Sequence, residues 1–355
     1  MAKRTLMKGN VAVAEAAVRA GCELFAGYPI TPSTELLEHL AVRMPEEGRV
    51  FIQAENELAA INIVNGAYGT GHRALTASSG PGMSLKLEGM SYCANAEVPY
   101  VCVNVNRYGR GIGSLDGSQD SYLQSIRSGG HGDYRNLVYT PSTIQEAVDD
   151  MYEAFDMAEK YRIGVILLMD TALGQTMEPV AMPEFKTRAV PLDWGVDGTN
   201  TKGLKRQKHA FDENVQHWKD KISALEREMQ RWESYMTEDA EYVFVAFGLP
   251  GRVAMDAVDM LRREGYAVGA IVPKIVFPFP VDAFKELDEN RLKGLITVEG
   301  TDFGQVVDDV ALTAKKTYDR NIPTYCYTYN RGTPESGKVV EYFKGVLNGT
   351  EKEAY

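Results

Sequence analysis

The sequence has few of the residues that hold metals. Its four cysteines, Cys22, Cys93, Cys102 and Cys326, lie far apart and form no C-x-x-C pair. Neither a thiolate zinc site nor an iron–sulfur cluster is expected within the chain. Cys102, inside the apolar run "VPYVCVNVN", is expected to be a buried structural thiol. The five histidines, His39, His72, His131, His209 and His217, are scattered, with no H-E-x-x-H and no paired spacing. His131 alone stands in a glycine-rich loop, "GHGDY", read as a structural turn. No metal site is expected. Basic charge is in deficit, with 38 Lys and Arg against 49 Asp and Glu and a formal charge of −11. Nucleic acid and anionic membranes demand clustered cations, so neither is expected as a partner. No apolar run approaches the roughly 20 residues of a membrane helix. "MAKRTLMKGN" has no apolar stretch behind its basic residues, so a cytoplasmic protein is expected. "GRGIG" and "GAYGTG" miss the G-x-G-x-x-G spacing, which excludes an autonomous dinucleotide-binding enzyme.

What is present is a globular composition, 44% hydrophobic and 25% charged, on 355 residues, enough for about two domains. The first half alternates helical and strand patterns as a parallel α/β sheet does. Helices are expected at 10–20, 33–43 and from residue 57, and strands at 23–27, 49–55, 73–79, 98–106 and 163–170. A first domain is expected over 1–185, then a linker segment over 186–240, polar and glycine-containing to about 208. Within that segment Phe211, Val215, Trp218, Ile222, Leu225, Met229, Trp232 and Met236 recur at spacings of four and three, which predicts one amphipathic helix. It is read as packing on its own domain, with a subunit contact as the alternative. From 241 to 355 the α/β rhythm resumes as a smaller second domain.

Open α/β sheets bind ligands beyond the carboxyl ends of their strands. Four loops meet that condition: "YPITPSTE", "ENE", "SGPGMS" and "RYGRGIG". They bring together Thr31, Glu55 and Glu57, the turn Ser79 to Gly82, and Arg107 with Arg110. Each also has a purely structural reading. Ser33 or Thr34 can cap the next helix, "SSGPG" can be a tight turn, and Arg107 can be a surface ion-pair partner. An arginine directly after an apolar strand is nevertheless well placed to hold a carboxylate with its planar fork.

Taken together, "GYPITPSTE", "QAENELAAINIVNGA", "TASSGPGMSLKLEGMSY", "VNVNR" and "GGHGDYR" resemble the α subunit of 2-oxoacid:ferredoxin oxidoreductases. The branched-chain 2-oxoisovalerate type is the nearest likeness and the 2-oxoglutarate type the second. The resemblance implies an α/β fold of two parallel-sheet domains, a pyrimidine-side thiamine diphosphate domain followed by a transketolase C-terminal-like domain. It implies oxidative decarboxylation of a 2-oxoacid to acyl-CoA and CO2, with coenzyme A as co-substrate and ferredoxin as electron acceptor. Thiamine diphosphate would be shared with a β subunit that binds the diphosphate and magnesium. Iron–sulfur clusters would sit in partner subunits, with γ- and δ-type chains completing the complex. The absence of a G-D-G…N pattern and of cluster cysteines agrees with that division.

By the same match, Glu57 falls on the glutamate that hydrogen-bonds the pyrimidine ring, leaving Glu55 as a strand-end or capping residue. Burial at an apolar helix start disfavours a carboxylate's charge, while the helix N-terminus favours it. Thr31 and Arg107 fall on substrate-side positions, Arg107 meeting the 2-oxoacid carboxylate. Pro29, Ile30, Ser79, Gly80, Pro81 and Gly82 would border the cofactor. The chain departs from the branched-chain pattern after Arg107, where Tyr108, Gly109 and Arg110 replace a Gly-Gly-Pro stretch. Arg110 adds charge on the substrate side, so 2-oxoglutarate or an aromatic 2-oxoacid stays open beside a branched one. A structural subunit without activity is the remaining alternative.

Overall fold

The structure, a computed structural model, describes residues 4–186 and 211–355, leaving out the side chains of 211–214. In chain order the first elements are β1 (Arg4–Lys8), α1 (Gly9–Arg19), β2 (Leu24–Gly27), α2 (Thr34–Glu46), β3 (Val50–Gln53), α3 (Glu57–Gly69), β4 (Ala74–Ser78) and α4 (Pro81–Ala96). There follow β5 (Tyr100–Asn106), α5 (Tyr122–Ile126), β6 (Leu137–Tyr139), α6 (Ile144–Tyr161), β7 (Gly164–Asp170), α7 (Thr171–Gln175), β8 (Met177–Ala181) and α8 (Phe211–Glu228). The last part holds β9 (Trp232–Tyr235), β10 (Tyr242–Val245), α9 (Leu249–Arg263), β11 (Val268–Pro273), β12 (Ile275–Phe277) and α10 (Val281–Lys285). It ends with β13 (Gly294–Glu299), α11 (Val306–Thr317), β14 (Thr324–Thr328) and α12 (Ser336–Leu347).

Two sheets dominate. The larger has the order β12-β6-β7-β5-β4-β2-β3, parallel except where β12 meets β6. The smaller has the order β14-β13-β10-β11-β9, parallel except for β9. Parallel strands covered by helices on both faces bury every side chain, so all seven residues of β5 and all seven of β7 are buried. One hydrophobic core runs from the first sheet into the second, and a further cluster around Phe244 and Phe343 fills the outer side of the smaller sheet.

The sheets do not divide at one point in the chain. Trp232–Tyr235 joins the smaller sheet ahead of residue 241, while Ile275–Phe277 crosses back to extend the larger one. The single amphipathic helix expected over 211–236 is corrected. It stops at Glu228, Trp232 starts a strand, and Met236 turns at a φ of +51°. The spacing of four and three persists across that break because the buried Leu225 and Met229 are followed by Trp232, a half-buried strand residue packed against the same core, while Met236 lies beyond the strand and is exposed. The Phe211 side chain and the stretch 187–210 lie outside the described residues. Among the described residues, no helix is long and apolar enough to cross a membrane and no group of three His, Cys, Asp or Glu could hold a metal.

Hydrogen bonds lock the smaller sheet onto the carboxyl edge of the larger one. The Gln119 amide nitrogen Nε2 donates to the Phe247 carbonyl at 2.9 Å, and the Gln119 backbone N–H donates to the Gly300 carbonyl at 2.7 Å. Asp170, at the end of β7, accepts from the Leu249 N–H at 2.6 Å. Burial at this junction pushes the Asp170 carboxyl up to about 7, against the lowering effect of its Leu249 and Gln119 hydrogen bonds.

Candidate functional site

Because β2, β3, β4 and β5 run parallel, their carboxyl ends open on one edge. The loop after β2 is fixed from below: Asn10 and Gln175 donate to the Pro32 carbonyl at 2.7 and 3.0 Å. Ser33 stands at the start of α2, but its hydroxyl donates back to the Ile30 carbonyl at 2.9 Å instead of capping the helix. Pro29 and Ile30 are half-buried and the Thr31 side chain is exposed.

After β3 the chain turns through Ala54 to Asn56. Asn56 is the helix cap, its side chain accepting from the Ala59 N–H at 2.8 Å. This corrects the expectation for Glu55, which is exposed and neither ends the strand nor caps the helix. Glu57, the first residue of α3, is 5% exposed. Behind it the fully buried Lys86 donates to the Thr76 hydroxyl at 2.9 Å and reaches the Glu57 carbonyl at 3.5 Å. Burial lowers the Lys86 pKa, opposed by the charges of Cys102 and Glu57.

The turn after β4 gives the edge its shape. Gly80 has a φ of +47°, which favours glycine, and Pro81 opens α4. A Cβ on Gly82 would overlap both the Ser78 hydroxyl and Glu57 Oε1. A Cβ on Gly80 would lie 2.9 Å from Arg107 Nε. The Ser79 to Gly82 turn is therefore walled by the Glu57 carboxylate on one side and the Arg107 guanidinium on the other.

Arg107, 7% exposed, follows the central strand β5. Its Nη1 donates to the Thr31 carbonyl at 2.7 Å and its Nη2 to the Ile112 carbonyl at 2.9 Å. Its Nε has no partner. Nor do the buried hydroxyls of Ser78 and Ser79 or the buried side-chain amides of Asn104 and Asn106. Ser78 pairs in register with Asn104, so these groups gather where β4 and β5 end. Buried polar groups almost always find a partner, and such a concentration marks a surface that binds something polar.

The structure thus brings together Glu57, Ser79, Gly80, Pro81, Gly82, Arg107 and the backbone of Thr31. Arg110 is elsewhere. Its side chain is 78% exposed and pairs with Asp302 at 2.9 Å. Sequence reasoning missed Ser78, Asn104, Asn106 and Lys86. The available signal was the pair of asparagines two apart at the end of an otherwise apolar strand. His131 sits in a turn stabilised by Ser91 and stacks edge-on against Tyr92, outside this cluster.

The chain is similar to several known proteins. Residues 15–242 match the family model described as pyruvate flavodoxin/ferredoxin oxidoreductase, thiamine diphosphate-binding. Residues 240–334 match pyruvate:ferredoxin oxidoreductase core domain II. The ketoisovalerate oxidoreductase subunit VorB of Methanothermobacter marburgensis is 44% identical over 87% of this chain and 89% of its own. The 2-oxoglutarate synthase subunit KorA of Methanothermobacter thermautotrophicus is 33% identical over 88% of this chain and 92% of its own. Among solved structures, the 2-oxoglutarate:ferredoxin oxidoreductase of Magnetococcus marinus, with 2-oxoglutarate, coenzyme A and succinyl-CoA bound, superposes with a TM-score of 0.82 at 24% identity. That match covers 97% of this chain and 65% of the solved one.

Proposed function

The chain belongs to the family of pyruvate:ferredoxin and related 2-oxoacid oxidoreductases, and we propose that it forms the pyrimidine-side half of a thiamine diphosphate site that decarboxylates a branched-chain 2-oxoacid. The observation that carries this reading is the Ser79 to Gly82 turn held between the buried Glu57 carboxylate and the Arg107 guanidinium. The site fits an aminopyrimidine on its own terms. It offers a buried carboxylate for a ring nitrogen and unpartnered Ser78, Ser79, Asn104 and Asn106 groups for the remaining polar edge.

Thiamine diphosphate, when bound, supplies the carbon nucleophile for the 2-oxoacid carbonyl and the electron sink for decarboxylation. Glu57 holds or releases a proton at its carboxylate oxygen, facing the ring nitrogen. The glycines at 80 and 82 let the Arg107 guanidinium and the Glu57 carboxylate lie against the turn that borders the cofactor, with Pro29, Ile30 and Pro81 closing the sides. Arg107 holds the substrate carboxylate through its free Nε edge, and Thr31 lines the substrate side. Positioning the two reacting groups at van der Waals distance supplies a large part of the rate.

We assign the diphosphate and its magnesium to a β-type partner, as the resemblance to the α subunit implies and as fits relatives that are named as subunits. Iron–sulfur clusters, ferredoxin and γ- and δ-type chains complete the electron path, and coenzyme A accepts the acyl group. The branched-chain assignment rests on the 44% identical ketoisovalerate oxidoreductase subunit. A second reading takes 2-oxoglutarate. It is supported by the 2-oxoglutarate synthase subunit KorA, 33% identical over 88% of this chain. Turnover of the purified complex on 2-oxoisovalerate, 2-oxoglutarate and an aromatic 2-oxoacid, with coenzyme A and a low-potential acceptor, decides between them. Preference for 2-oxoisovalerate supports the first reading, and turnover of none of the three rejects both.

A further inference from the structure

We propose that Asp302, on the second sheet's β13–α11 loop, is a positioning residue that latches the 107–117 loop and thereby sets the Arg107 guanidinium for substrate. The Arg107 end of this idea rests on the carboxylate role given above. Arg107 is oriented by two carbonyls, those of Thr31 and Ile112, and Ile112 lies at the tip of the loop that Arg107 itself begins. The loop returns to an isolated bridge between Arg107 and Gly117. Inside it the Tyr108 N–H donates to Asp116 O at 2.9 Å and the Ser114 N–H to Tyr108 O at 2.8 Å. Gly109, Gly111 and Gly113 all have φ between +64° and +105°. Three glycines in nine residues leave such a loop little stiffness of its own.

Its rigidity comes from outside. The Tyr108 hydroxyl donates to Asp302, at 2.9 Å from Oδ1 and 3.2 Å from Oδ2, and Arg110 Nη1 donates to Oδ2 at 2.9 Å. Arg331 lies over the Tyr108 ring at 5.9 Å, and the Gly332 N–H donates to Gly117 O at 2.8 Å. Within the loop's own base, Asp120 accepts from the Gly109 N–H at 2.8 Å. One carboxylate thus gathers donors from two positions of a glycine-rich loop whose tip carbonyl orients the substrate arginine. The half-buried Tyr108 contact is the stronger link, because Arg110 is mostly in water. This gives the second sheet a part in substrate binding, although none of its side chains lies against the Ser79 to Gly82 turn in the contacts described.

The test uses the assembled complex with Asp302→Ala, Asp302→Asn and Tyr108→Phe. Amide hydrogen exchange without substrate should show faster exchange across 107–117 in Asp302→Ala and in Tyr108→Phe. Partial recovery is expected in Asp302→Asn, which keeps an acceptor for Tyr108. KM for the 2-oxoacid should rise about tenfold in Asp302→Ala while kcat changes by less than about threefold, the signature of lost substrate binding without lost chemistry. Unchanged exchange across the loop overturns the latch. Faster exchange with a parental KM overturns its part in substrate binding. Arg107→Ala, measured beside it, separates the two levels: an unchanged KM there rejects the carboxylate role of Arg107 and the substrate half of this proposal with it. A raised KM for Arg107→Ala with a parental KM for Asp302→Ala rejects the part of Asp302 in substrate binding and leaves the carboxylate role of Arg107 standing.

Discussion

Glu57 lies directly against Gly82, so close that no methyl group fits between the carboxylate and the first turn of α4. The backbone of Gly82 is not in the left-handed region, so the obstacles to alanine there are this contact and the overlap with the Ser78 hydroxyl, which can rotate away. Gly82→Ala should therefore fold and assemble normally while displacing Glu57. A displacement of about 1 Å at a reacting group costs on the order of a hundredfold in rate. Thermal melts alongside turnover check both halves. A parental rate would mean that Glu57 has room to move without consequence.

Arg107 should act on substrate affinity. Hydrogen bonds to charged groups contribute about 1.5–3 kcal/mol, so Arg107→Ala is expected to lower kcat/KM for the 2-oxoacid by one to two orders of magnitude, mostly through KM. Arg107→Lys should recover little, because an ammonium cannot bridge Thr31 O and Ile112 O and still offer a planar edge to substrate. Steady-state kinetics over a wide range of substrate concentration gives the split.

At the opposite end of β4, Arg73 should matter only for stability. It is 1% exposed, donates through Nε and Nη2 to Glu159 at 2.9 and 2.8 Å, and also reaches Asp156 and the Ala20 carbonyl. Removing one partner of a buried ion pair costs about 3–5 kcal/mol. Arg73→Ala should lower the unfolding free energy by that order, read by denaturant titration, with KM unchanged in the protein that remains folded.

Asp170 predicts a pH dependence. Burial at the junction of the two sheets raises its carboxyl to about 7, whereas an unfolded aspartate titrates near ~3.9. Between those values the folded chain keeps a proton that the unfolded chain has lost. Its contribution to stability is therefore full at low pH, falls as pH rises through the window, and levels off above about 7. Asp170→Asn keeps an acceptor for the Leu249 N–H but cannot ionise, so the difference in stability between variant and parent should grow from pH ~4 to ~7 in favour of asparagine. Denaturant melts at several pH values measure that difference. A difference that does not vary with pH would contradict the assignment.

The parts legible in the sequence are those governed by local pattern. Apolar runs such as Val101 to Val105 and Val165 to Met169 mark buried parallel strands, and the loops after them mark the edge where the site lies. Family likeness then separates Glu57 from Glu55, which no periodicity does. The illegible parts depend on distant packing. The seam from Val215 to Met236 reads as one helix because its spacing survives a switch from helix to strand at Gln230–Arg231. β12 pairs with β6 more than 130 residues earlier in the chain, and nothing in its three residues announces a change of sheet. Arg110 looks like a site residue by its place beside Arg107, but its partner Asp302 lies 192 positions away and draws it off.

The central claim is that Glu57 exchanges a proton with the pyrimidine of thiamine diphosphate. The most direct measurement is hydrogen–deuterium exchange at the thiazolium C2 position of thiamine diphosphate bound to the assembled complex, comparing parent with Glu57→Gln in the absence of substrate. The account predicts that the cofactor still binds and that the exchange rate falls by two orders of magnitude or more, on the scale of a lost general acid–base group, roughly 10²–10⁴-fold. An exchange rate within about twofold of the parent, with the cofactor bound, would contradict it.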